Sequence, residues 1–159
     1  MKRAIYAPAF AILLLSGMTG EARAQSFTAF LTGKKEVPPV DTRAKSFAIF
    51  RFVLNDRLLV GYRLNLLHDQ EVHMVHIHEG PVGQDGPIVL ALKPDAFCLD
   101  IGPVTLYIAT ADHLRGRLQG MVLSDLKALM TTGNTYLNLH TDPEPDGWIR
   151  GQFPARNGT

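Results

Sequence analysis

Apolar and polar positions in this chain alternate with a period of two much more than with a helical period. The clearest run is Leu58 to Leu67. Leu58, Val60, Tyr62, Leu64 and Leu66 fall on one side, and Gly61, Arg63 and Asn65 on the other. That is the signature of a strand with one face against a core. Ser46 to Leu54 precedes it, rich in Phe, Ile and Val, and the polar Asn55-Asp56 between them predicts a hairpin. Ser26 to Leu31 reads as a first strand. Thr32 to Asp41 reads as a loop, because Pro38 and Pro39 have no N–H for a ladder. Further strands are predicted at Val72–His78, Ile88–Leu92, Val104–Thr110, Thr135–His140 and Trp148–Gln152.

Only one segment has helical character. Ser124 to Met130 offers Ser124 as N-cap, Asp125 in the first turn and Gly133 just beyond the end. Ala111 to Val122 is broken by Gly116 and Gly120 and reads as loop, and the polar tail from Pro154 is expected to fray. Eight short strands, frequent turns and one helix predict an all-β sandwich or barrel, with the Leu58/Val60/Leu64 side facing inward.

The N-terminus stands apart from this pattern. Lys2 and Arg3 precede an apolar run, Ile5 to Met18, too short to span a bilayer comfortably. Ala22-Arg23-Ala24 then has the small-x-small form of a signal-peptidase site. The expectation is a signal peptide over residues 1–24 and a mature domain over 25–159, periplasmic or secreted. Removing Lys2, Arg3, Arg23 and Glu21 changes the formal charge from +1 to −1. No basic face or cluster remains for nucleic acid or for an anionic membrane. The single cysteine, Cys98, has no partner for an internal disulfide, and Phe97 and Leu99 beside it favour burial.

Candidate chemistry is concentrated in VHMVHIHEGPVGQDG, Val72 to Gly86. On a strand, His76 and His78 share one face while Val75 and Ile77 share the other. TYLNLHT repeats the arrangement near the C-terminus, with Leu137 and Leu139 inward and Asn138 and His140 outward. If these strands are neighbours, His76, His78 and His140 project together from the outer sheet face and form a surface cluster. Three imidazoles suit copper or zinc, and Met74, on the same face, adds a thioether suited to copper(I). His73 points the other way, to core or rim, while His68 and His113 sit in solvated turns. Glu79, Asp142 and Asp146 are near enough in sequence to add an oxygen, although their default role is to solvate turns. Arg150 either orients an anion at the site or makes a structural hydrogen bond. The chain lacks a G-x-S-x-G elbow, an H-E-x-x-H pair and a phosphate-cradling loop.

Three motifs in order, LTGKKEVPPVDT (Leu31 to Thr42), HIHEGPVGQDGPIV (His76 to Val89) and YLNLHTDPEPDGWIRGQF (Tyr136 to Phe153), resemble the CHRD domain, named after chordin. The resemblance implies an immunoglobulin-like or superoxide-dismutase-like Greek-key fold. It places the family's histidine motif on His76 and His78 and its His-Thr strand end on His140 and Thr141. The glycine loop matches at Gly80, Gly83 and Gly86, and the C-terminal motif at Gly147, Ile149, Arg150, Gly151 and Gln152. Trp148 stands where the family usually has Glu, offering a flat apolar surface beside the site instead, and Ser46 where Gly is frequent. The likeness to dismutases does not extend to activity, since no histidine-rich loop follows His78 and Cys98 is unpaired. Two partners are consistent with this reading: a transition-metal ion, or a protein recognised by a non-catalytic interaction module.

Overall fold

The computed structural model describes residues 26–53, 57–64, 71–93, 97–101 and 104–156, with the side chains of 62–64, 97–98 and 100–101 outside that description. The expected signal segment and cleavage site, the expected turn at Asn55-Asp56, Leu66 and His68 lie outside it, as do the side chains of Tyr62, Leu64 and Cys98.

Among the described residues nine strands form one antiparallel sheet: β1 (Ser26–Thr32), β2 (Lys45–Val53), β3 (Arg57–Leu64), β4 (Met74–Glu79), β5 (Ile88–Lys93), β6 (Phe97–Ile101), β7 (Val104–Ala109), β8 (Thr135–His140) and β9 (Ile149–Gln152). Their order is β5-β4-β8-β9-β1-β2-β3-β7-β6. The connections β3→β4 and β5→β6 each cross from one arm of the sheet to the other. Both arms bury their inner faces in a single core, so the sheet is curled toward a barrel. The all-β expectation with one short helix holds.

Alternation explains the inner face. Phe27, Ala29 and Leu31 on β1, Ser46, Ala48 and Phe50 on β2, and Leu58 and Val60 on β3 are buried, as the period of two requires. Phe153 ties the arms together, with its ring edge-on to Phe50 at 5.0 Å and to Phe27 at 6.5 Å. The helix α1 (Leu123–Thr131) adds Leu123, Leu126 and Met130 to the same core. No helix among the described residues is long and apolar enough to cross a membrane.

Four local expectations are corrected. The strand β6 was absent from the sequence reading. It is a short edge strand bracketed by Pro94 and Pro103 and paired on one side only with β7, and its Leu99 is exposed. An edge need not alternate, so no period announces it. The N-cap of α1 is Val122, not Ser124, and its N–H donates to Asp125 Oδ2 at 3.2 Å. Burial of Leu123 draws the helix start two residues earlier. His113 is half-buried, and its Nδ1 accepts the Thr110 N–H at 3.0 Å, closing a 3-10 turn (Ala111–His113). The tail is docked as far as Arg156, whose N–H donates to Thr131 O at 3.0 Å and whose guanidinium stands 5.0 Å over the Phe27 ring.

Candidate metal centre

The strands β4 and β8 are antiparallel neighbours, with Met74 opposite His140, His76 opposite Asn138 and His78 opposite Tyr136. Val75, Ile77, Leu137 and Leu139 point into the core and are fully buried. They anchor both strands, so Met74, His76 and His78 share the other face with Tyr136, Asn138 and His140. The β4–β5 pairing shifts register at Val75/His76 and again at Ile77/His78. Such irregularities bend a strand and re-aim its side chains, here at the two histidines.

The three rings converge. His76 Nδ1 lies 3.2 Å from His140 Nε2, and one ligand atom from each of His76, His78 and His140 falls within 4.8 Å of the others. It is the one such group of His, Cys, Asp and Glu among the described residues. Zinc or copper bonds of about 2.0–2.1 Å in a tetrahedron put donor atoms roughly 3.3 Å apart. One pair already has that spacing, and the others, within 4.8 Å, would have to draw in by up to about 1.5 Å to share one ion.

Two backbone carbonyls set the tautomers. His78 Nδ1 donates to Gly86 O at 2.8 Å and His140 Nδ1 donates to Pro145 O at 2.9 Å. Each ring therefore turns an unprotonated Nε2 toward the cluster, the usual arrangement behind a metal-ligating imidazole. The His78 Nε2 is buried and without a hydrogen-bond partner among the described residues. With His140 Nε2 as acceptor, His76 Nδ1 carries the proton between them, so His76 is the ring that must change tautomer to ligate. Burial lowers the pKa of His78, and the His140 and Arg150 charges add to it, against the Gly86 hydrogen bond. Burial also lowers His140, opposed by Pro145 and Asp146. Both rings are neutral at neutral pH, the form that binds metal.

The expectation of a surface cluster is corrected. The rings do leave the outer sheet face, but His76 is only 8% and His140 only 5% exposed. The loops after β4 and β8 fold back over that face because their carbonyls at Gly86 and Pro145 bond to the rings. The strand β8 is accordingly buried on both sides along its whole length.

Arg150, 2% exposed, is structural. Its Nη1 bonds Asp85 Oδ1 at 3.1 Å, and its Nη2 bonds Pro81 O at 3.1 Å and Gln84 O at 2.8 Å. Its Cζ sits 3.3 Å over the Tyr136 ring, which in turn stacks on His78 at 4.9 Å and 12°. Arginine, tyrosine and histidine thus form one layered column that pins the glycine loop. Gly86 is required there, since a Cβ would meet Glu79 O at 1.6 Å. Met74 is half-buried in the row of His140. Glu79 is engaged by Arg117 at 2.8 Å, and Asp142 lies 3.4 Å from His73 at the rim. Trp148 is buried in the core and offers no surface, and its backbone N–H donates to Leu139 O at 2.8 Å.

Two residues escaped the sequence reading. Asn138 was visible only as the polar partner of His140 in the alternation. Glu36, in a loop over a hundred positions away, carried no signal. It is 6% exposed, with Oε2 accepting from Asn138 Nδ2 at 3.4 Å. Burial raises its pKa to about 7, despite the opposing Arg150 charge. A carboxyl held above its unfolded value destabilises the fold as pH rises from the unfolded pKa through the folded one. Glu36→Gln is therefore expected to gain stability at pH 8, by up to about 3 kcal/mol, and to gain nothing at pH 4. Urea unfolding at the two pH values measures this.

The CHRD domain family matches residues 27–153, from the first strand to Phe153. No curated protein and no solved structure matches the chain. The family match covers most of the chain, and all three motifs lie within its bounds, so the protein belongs to the CHRD domain family.

Proposed function

We propose that this chain is an exported metal-binding protein that takes one copper or zinc ion through His76 Nδ1, His78 Nε2 and His140 Nε2. Met74 or a water completes the four-coordinate set. The observation that carries this is the convergence of three ligand nitrogens within 4.8 Å, with two of the rings oriented by backbone carbonyls. Zinc bound there supplies a Lewis acid, and copper supplies a one-electron carrier. The chain contributes neutral imidazoles, a fixed Nε2 direction at two of them, and loops that limit water. The basic start, apolar run and Ala22-Arg23-Ala24 support a periplasmic or secreted location.

Titration of the metal-free protein with zinc and with copper(I) is the test. Stoichiometric uptake by wild type and its loss in a His76/His78/His140 triple alanine variant is the expected result. Equal uptake by both proteins rejects the site. Protons compete with metal for each imidazole, so affinity falls with pH. Because burial lowers His78 and His140, the apparent affinity is expected to hold from about pH 7.5 to 6.5 and to weaken only below that range. A competition assay across pH 5–8 measures it.

A further inference from the structure

Imidazole suits zinc and copper alike, so the three rings by themselves do not choose a metal. Their surroundings do. The converged group holds His76, His78 and His140 and, among the described residues, no carboxylate, so its donors bring no negative charge. Acidic side chains near it are engaged elsewhere: Glu79 with Arg117, Asp85 with Arg150, Asp142 with His73 and Glu36 with Asn138. Asp146 is felt by His140 as a charge but lies outside the group. From the opposite side, the Arg150 guanidinium stands 3.3 Å over the Tyr136 ring, which is stacked on His78. His76 and His140 are nearly closed to solvent. An ion entering there gives up its water and gains no anionic ligand. The cost of taking a charge out of water rises with its square, so it is about four times larger for a divalent ion than for a monovalent ion of equal size.

We infer that the centre selects copper in its monovalent state, copper(I), over zinc and copper(II), with Met74 as the residue that completes the selection. This deepens the reading of the histidines as a metal centre and rests on it. Met74 is directly opposite His140 in the β4–β8 register, two positions from His76 on the same face, and half-buried. Side chains opposite one another on neighbouring strands have Cβ atoms about 4.5–5.5 Å apart, a gap that the flexible methionine side chain spans. A thioether is a soft and neutral donor, which favours copper(I) and adds no charge. Zinc with three protein ligands keeps a water in its fourth position, and copper(II) favours tetragonal sets of nitrogen and oxygen donors. The group offers no oxygen, and the loops bonded to His78 and His140 through Gly86 O and Pro145 O limit water.

Metal-free protein tests this. Dissociation constants for copper(I) under anaerobic conditions, for copper(II) and for zinc are measured by competition, each against a chelator of known affinity. Copper(I) should bind at least about 100-fold more tightly than either divalent ion. A smaller gap overturns the selectivity and leaves the metal centre standing, whereas no uptake of any ion rejects the centre and the selectivity together. Met74→Leu keeps the side-chain volume and should weaken copper(I) about tenfold or more, with zinc affinity unchanged. In a variant with the wild-type circular dichroism spectrum, loss of affinity for both ions or for neither overturns the role of Met74. Copper X-ray absorption of the loaded wild type decides the same point without a variant. One sulfur ligand supports the inference, and a copper site without sulfur overturns it.

Discussion

Replacing His140 by alanine is expected to weaken zinc or copper binding at least about 100-fold, as much as replacing His76. Changing a residue behind a metal ligand typically costs 10–100-fold, and removing a ligand costs no less. The two residues are 64 positions apart, yet their ring nitrogens lie 3.2 Å from each other. Neither can be replaced by a neighbour: Glu79 is held by Arg117, Asp142 lies beside His73 at the rim, and Arg150 is committed to the glycine loop. His73→Ala serves as the control and should leave affinity unchanged, because that ring is 41% exposed and lies outside the cluster. Competition with a chromophoric chelator reads all three variants. A His140→Ala protein with wild-type affinity would remove the centre as described.

The largest stability effect is expected at Phe50. Phe50→Ala should cost about 3–5 kcal/mol, measured by urea unfolding. The ring is fully buried on β2 and meets Phe153 edge-on at 5.0 Å, and Phe153 in turn meets Phe27. These three rings join the β1–β2 hairpin to the chain just after β9, and so to the arm that carries the histidines. Deleting the Phe50 ring leaves a cavity that strands on both sides cannot close without losing register. A cost under about 1 kcal/mol would mean that the arms do not share one packed core.

Local pattern was enough to reveal most of the strands. Inner and outer faces follow from the period of two, which is why Leu58, Val60, Val75, Ile77, Leu137 and Leu139 could be assigned to the core from spacing alone. The same spacing showed that His76 and His78 share a side. It failed at β6, an edge strand paired only with β7 whose FCLDI sequence does not alternate, and at the start of α1, where burial of Leu123 outweighed the capping preference of Ser124.

The site itself depended on contacts that no window of sequence contains. Strand order placed β8 beside β4, bringing His140 to His76. Cover over the rings came from carbonyls at Gly86 and Pro145, whose positions depend on where their loops return to the sheet. Arg150 could have served an anion or a loop, and its three acceptors and the Tyr136 face decided for the loop. Glu36 is the extreme case, because the burial that raises its pKa is a product of the fold and its hydrogen-bond partner Asn138 lies more than a hundred positions away. The sequence by itself determined which side chains each strand presents to which face, because that is a property of backbone geometry. Only the tertiary structure decided which faces meet and what covers them, because those contacts form between segments far apart in the chain.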